Sequence, residues 1–154
     1  MNIVLFEPEI PQNTGNVART CVVTGTKLHL IEPMGFSVSD KWVKRAGLDY
    51  WSLLDLEVHE NFQAFADKYG QHPFYFLTTK GQKIYSQITF EKEAFLIFGK
   101  ESAGFPREIH EAYADRRFRI PMVDHEKARS LNLSNSVSVV LYEALRQQGF
   151  PNLL

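Results

Sequence analysis

Short apolar runs recur along this 154-residue chain at 2–6, 27–31, 73–79 and 94–98, with helix-patterned segments between them. Continuous apolar runs of this length suit strands buried on both faces. Strands that return parallel to one another need a crossover of a dozen or more residues, which in one sheet is right-handed. The pattern therefore predicts an α/β fold, a mostly parallel sheet with helices on both faces, in a single domain spanning 1–154.

The first unit sets the style. Asn2-Ile-Val-Leu-Phe6 reads as a strand and breaks at Glu7-Pro-Glu-Ile-Pro11. A helix follows for which Asn13 or Thr14 is the expected cap and Gly25 the expected terminator. Lys27-Leu-His-Leu-Ile31 then closes a strand–helix–strand unit. Further on, Ser39 caps an expected short helix over 40–46, and Phe62, Phe65, Ala66 and Tyr69 fall at helical spacing before Gly70. The segment 80–86 reads as a polar loop. Pro106 is placed as the first residue of a helix through about Tyr113, and residues 118–122 read as the last strand. In the final helix Val137, Val140, Leu141, Ala144 and Leu145 make one buried stripe.

Chemistry is expected beyond the carboxyl ends of the strands, where loops lead into helices. Three segments have that placement: 77–81, 99–104 and 120–135. In the third, Ser130, Asn132, Ser134, Asn135 and Ser136 crowd one helix mouth, more short polar side chains than a single cap requires. Gly99-x-x-x-x-Gly104 has the spacing of a phosphate loop, but Phe105-Pro106 stands where Lys-Ser/Thr is needed, and there is no G-x-G-x-x-G. The five histidines lack metal-ligand spacing, Ser102 lies outside a G-x-S-x-G elbow, and Cys21 is the one cysteine, on an apolar helix face. A formal net charge of −1 argues against indiscriminate coating of nucleic acid, though not against a local basic face. No signal peptide or membrane-length run appears, so a cytoplasmic chain with no membrane association is expected.

Asn13-x-Gly15-Asn16-x-x-Arg19, Leu96-Ile-Phe-Gly99-x-Glu101-Ser-x-Gly104 and Ile120-Pro-Met with Ser130-Leu-Asn-Leu-Ser-Asn-Ser-Val-Ser-Val resemble the three motifs of the SPOUT class of RNA methyltransferases. Within it they match the ribose 2′-O-methyltransferase branch. Phe6-Glu-Pro-Glu-Ile-Pro-Gln-Asn-Thr-Gly-Asn, Leu30-Ile-Glu-Pro-Met-Gly-Phe and Ala46-Gly-Leu-Asp-Tyr narrow the resemblance to members that methylate the wobble ribose of leucine tRNAs, on cytidine or a modified uridine.

The resemblance implies a deep trefoil knot in the C-terminal part, a homodimer with no other obligate protein partner, and S-adenosylmethionine as methyl donor without a metal. It places the donor against Leu77, Thr78, Gly99, Glu101, Gly104, Ile120, Met122, Ser130 and Leu131. Arg19, Asn132, Ser130 and Glu101 become the catalytic candidates, with Arg19 reaching into the partner subunit's site. For tRNA the candidates are Asn13, Asn16, Lys41, Lys44, Arg45, Arg107 and Arg129, with Trp42 and Tyr50 as stacking partners for bases. The alternatives are the same chemistry on another tRNA position or ribosomal RNA, and a binding module of the same fold without turnover.

Overall fold

The computed structural model describes residues 1–39, 41–42 and 48–154. Most of the helix expected over 40–46, including Lys44 and Arg45, lies outside those residues. Seven strands form one sheet: β1 Asn2–Phe6, β2 Lys27–Ile31, β3 Leu56–His59, β4 Phe74–Leu77, β5 Lys83–Ile84, β6 Phe95–Phe98 and β7 Arg117–Arg119. Their order is β3-β2-β1-β6-β4-β7-β5, and every pairing is parallel.

Alternation along each strand divides the core. Ile3 and Leu5 of β1, with Leu96 and Phe98 of β6, pack beneath helices α1 (Pro11–Thr24) and α4 (Leu133–Gln147) through Val17, Cys21, Val137, Val140 and Leu141. Val4 and Phe6, with Phe95 and Ile97, face the other way, onto Phe65 of helix α2 (Phe62–Tyr69) and Ile109 of helix α3 (Arg107–Ala112). Helices thus cover both faces, as the continuous apolar strands require.

Four boundaries differ from the expected ones. Helix α1 begins at Pro11, and Ile10 rather than Asn13 or Thr14 is its N-cap, without any side-chain bond. Proline is suited to a first helical position because the amide it lacks would be unpaired there anyway. Residues 83–84 form a two-residue strand inside the expected loop, paired with β7. The last strand is confined to 117–119, and 120–122 run on as loop. Pro106 is the N-cap of α3 rather than its first residue. Gly25 does end α1, at φ 63°, with its amide and that of Thr26 turned back on Cys21 and Val22.

A polar island sits where β2 meets β3. His29 is fully buried, and its Nδ1 lies 2.9 Å from Nε2 of His59. Phe65, Tyr69 and Phe95 surround the pair, and the other ring nitrogen of His29 has no partner among the described residues. Burial, then the neighbouring His59, holds the His29 imidazole far below its ordinary proton affinity, and burial likewise lowers that of His59. Beside them Glu57 accepts from Lys68, Tyr69 and Lys27; burial would raise its carboxyl, but these three bonds outweigh it and keep it ionised.

Candidate functional site

The carboxyl ends of β4 and β6 and the segment after β7 open into one cavity of about 640 Å³. That is ample for a nucleoside-sized ligand. Leu77, Thr78, Gly99, Glu101, Gly104, Ile120, Met122, Ser130, Leu131 and Asn132 all line it, as do Asn13 and Arg129. Segments remote in sequence are therefore brought to one place, and each wall has its own means of being held.

The first wall is the turn after β4. The Thr78 amide donates to Phe118 O, and the Thr78 hydroxyl accepts from the Lys80 amide. Gly81 lies so close to β7 that a Cβ there would stand 2.4 Å from the Phe118 carbonyl carbon, so the turn can only be built with glycine. The second wall is the loop after β6. Gly104, at φ 65°, returns its amide to Lys100 O, and a Cβ on Gly99 would come within 2.7 Å of the Gly104 backbone. Two glycines thus let this loop fold flat against itself, with its backbone bare toward the cavity.

The third wall, 120–132, is where the surplus of short polar residues resolves. Asn132 is the N-cap of α4: its side-chain oxygen accepts from the amides of Ser134 and Asn135 and from the Ser134 hydroxyl. Ser136 and Ser138 bond back to carbonyls one turn earlier. Ser130 is left facing the cavity with Leu131, whose amide has, among the described residues, only the thioether sulfur of Met122 as acceptor, at 3.2 Å. A thioether is a weak acceptor, so this amide can be claimed by a better one on a ligand. Arg129 beside it holds φ 54° and ψ −149°, a region that side-chain-bearing residues rarely occupy and that tends to occur at functional sites.

Glu101 joins the walls. Its carboxylate accepts from the amides of Glu9 and Ile10 and from Nδ2 of Asn13. Asn13 Oδ1 in turn accepts from Nδ2 of Asn132, at 2.9 Å. The loop after β6, the start of α1 and the cap of α4 are locked by this chain of bonds. Both Glu101 oxygens and one N–H of each asparagine are committed to it, so these three residues hold the walls together.

Arg19 stands elsewhere. It is exposed on α1, does not line the cavity, and lies over the Tyr50 ring, 4.4 Å from its centroid; the Tyr50 hydroxyl donates to Gly15 O at 2.7 Å. Asn16 is exposed on the same helix, Lys41 is exposed, and Arg107 is exposed and paired with Glu111 on its own helix. Trp42 stacks on Phe36 and meets Trp51 edge-on. The cavity also contains residues that sequence reasoning passed over: Lys80, Lys100 and His110. Lys100 is held by Glu7 at 2.8 Å. Among the described residues, the only three-residue group with metal-ligand geometry is His29, Glu57 and His59, outside the cavity, and its carboxylate is occupied by two lysines.

Residues 1–142 match the SpoU rRNA methylase family. A tRNA (cytidine(34)-2′-O)-methyltransferase of Escherichia coli strain K12 is 48% identical over 152 residues, 98% of this chain and 96% of that one. A structure described as giving insight into 2′-OH methylation of C/U34 on tRNA superposes with a TM-score of 0.88 at 42% identity, covering 96% of this chain and 95% of that one. The SpoU methyltransferase AviRb of Streptomyces viridochromogenes, solved with the cofactor AdoMet, shares the fold at a TM-score of 0.74 and 22% identity, over 96% of this chain and 57% of its own.

Proposed function

The chain belongs to the SpoU rRNA methylase family, and from that membership we propose that it is an S-adenosylmethionine-dependent tRNA methyltransferase acting on the ribose 2′-hydroxyl of nucleotide 34. The observation that carries the position is the near end-to-end match, at 48% identity, to a relative named for cytidine 34. Leucine tRNAs, with cytidine or a modified uridine at that position, are the substrates that the closer motif resemblance favours.

The cavity suits the donor on its own terms. Leu77, Phe98 and Ile120 offer an apolar slot, the Gly99 loop bare backbone, and the Leu131 amide a donor without a strong acceptor. Adenine needs edge hydrogen bonds within an apolar slot, and this combination supplies them. When bound, S-adenosylmethionine brings a methyl carbon already activated by its sulfonium. The chain's share is alignment, stabilisation of the nucleophile and removal of one proton as the O2′–carbon bond forms and the carbon–sulfur bond breaks.

Ser130 stands in the wall nearest the Asn132 cap and can hydrogen-bond the ribose. Asn132 and Glu101, with their polar atoms engaged in the lock described above, keep that wall at fixed distance from the Gly99 loop; we assign them positioning roles. Arg19 would act on the site of a second copy. Its guanidinium stays protonated, so its contribution is to stabilise the developing alkoxide or hold an adjoining phosphate, not to take the proton. A homodimer follows from that assignment.

The test is incubation of purified protein with methyl-labelled donor and total tRNA, followed by nucleoside mapping. Label as 2′-O-methyl at position 34 of leucine tRNAs is the expected result. Label elsewhere, or in ribosomal RNA alone, would overturn the assigned position while keeping the chemistry.

A further inference from the structure

The cavity's charge is lopsided. Glu101 lines it, but its carboxylate is consumed by two amides and Asn13; Lys100 is consumed by Glu7. Lys80, in the turn after β4, and His110, on α3, both line the cavity and have no carboxylate partner among the described residues. Arg117 adds a second cation beside the imidazole: its Nη1 is 3.5 Å from His110 Nδ1, and its own Nε is turned to Ala114 O. Two cations, Lys80 and Arg117, thus bear on one imidazole with no ion-pair partner among the described residues, a standing cost unless something negative shares the space.

We infer that Lys80 and His110, backed by Arg117, form an anion-binding subsite in the cavity wall, taking an oxyanion of one of the reactants. Two reactants could supply it: a phosphodiester of the RNA strand, or the carboxylate of the donor's amino-acid tail. This deepens the methyltransferase reading and rests on it for the identity of the anion, though not for the existence of the subsite.

The local construction supports a site built for a ligand. Lys80 follows a turn whose every element is fixed: Thr78 to β7, the Lys80 amide to Thr78, and Gly81 against Phe118. Its ammonium therefore projects from a rigid base, which lowers the entropy lost when it grips an anion. His110 senses the surplus charge. Burial first, and then Lys80 and Arg117, hold its imidazole below its ordinary proton affinity. An oxyanion placed among the three would reverse the latter two effects and let His110 become a second charged donor.

Binding measurements separate the sources without relying on turnover. In the RNA arm, tRNA affinity is measured over a series of KCl concentrations for the wild type, Lys80→Gln and Arg117→Gln. A phosphodiester source predicts that each variant's log–log salt slope becomes shallower by about 1. In the donor arm, calorimetry compares S-adenosylmethionine with 5′-methylthioadenosine, which lacks the amino-acid tail. A carboxylate source predicts about tenfold weaker donor binding in Lys80→Gln with methylthioadenosine unchanged, the loss expected of one charge-assisted hydrogen bond. A change in either arm supports the subsite and names its anion. Wild-type values in both arms would overturn it, as would equal weakening of donor and methylthioadenosine, which would mean that the turn had merely been distorted. If no methyl transfer were ever found, both arms would still read the subsite.

Discussion

Asn132 uses both ends of one amide: the oxygen caps α4 and the nitrogen reaches Asn13. Removing the cap is expected to cost about 1 kcal/mol, and Asn132→Ala also strands Asn13, so a total of about 2 kcal/mol is expected. Asn132→Asp keeps the cap acceptor and gains from the helix dipole, but sets a second carboxylate against Asn13, which already serves Glu101. Its stability should fall between the wild type and the alanine variant. Urea titrations of the three proteins check the order; an alanine variant as stable as the wild type would show that the bonds contribute nothing net. Arg19 yields a different forecast. Since it lies outside its own chain's cavity, over Tyr50, Arg19→Ala should abolish methyl transfer and leave donor affinity unchanged by calorimetry. Weakened donor binding would put Arg19 in the wrong pocket. At this scale the sequence was informative about which residues gather, because motif residues come together wherever loops leave parallel strands. It was silent on what occupies them. That Glu101 is engaged by backbone amides 91 and 92 residues away, and that Lys80 and Arg117 crowd His110, depends on contacts between distant segments that no local pattern encodes.

Elements were legible in proportion to how much of their shape is local. Strands β1, β2, β4 and β6 carry their own apolar runs, and α2 its aromatics at helical spacing before Gly70, so both could be placed from sequence. The two-residue β5 has no pattern of its own; it exists because β7 offers it a partner. The start of α1 was misplaced because proline at a first turn tolerates an N-cap without a side-chain bond, and the Glu9 and Ile10 amides just before the helix find their acceptor in Glu101. The junction of β2 with β3 adds a pH forecast. His29 and His59 both have proton affinities below the ordinary imidazole value in the folded state. The unfolded chain then takes up protons that the folded chain refuses, so their contribution is intact above about pH 7 and declines as pH falls below about 6.5, by at most about 1.4 kcal/mol per pH unit for each histidine kept neutral. Glu57, whose carboxyl is held low, adds a loss of the same sign at more acidic pH, below the ordinary carboxylate range. Urea midpoints at pH 7.5, 6.5 and 5.5 should fall in the wild type and fall less steeply in His29→Phe. Equal slopes would mean that the histidine pair is not the source.

Across the whole molecule, the packing of α1 beside α4 decides how a residue on one can serve a site at the end of the other. The two helices touch, with Thr20 Oγ1 3.4 Å from Ser138 Oγ, and cover one face of the sheet together. Their outer side leaves Val23 60% exposed, Val139 38% and Tyr142 45%. Apolar side chains scattered singly mean little, but three on one helix pair, with an arginine on α1 that lies outside its own chain's cavity, fit a face closed by a second copy. In a two-fold dimer the surfaces pair reciprocally, so each cavity would receive the other chain's Arg19. That arrangement makes a prediction that a monomer, or a dimer acting in cis, cannot satisfy. Take Arg19→Ala, which keeps its cavity, and Thr78→Trp, whose indole fills the donor slot while Arg19 remains. Each alone should be inactive. Co-expressed in equal amounts, half of the dimers are mixed and each mixed dimer has one complete site, so about a quarter of wild-type activity should return. Size-exclusion chromatography with two affinity tags isolates the mixed dimer and verifies that it formed. A mixed dimer that forms but transfers no methyl group would exclude Arg19 acting across the interface.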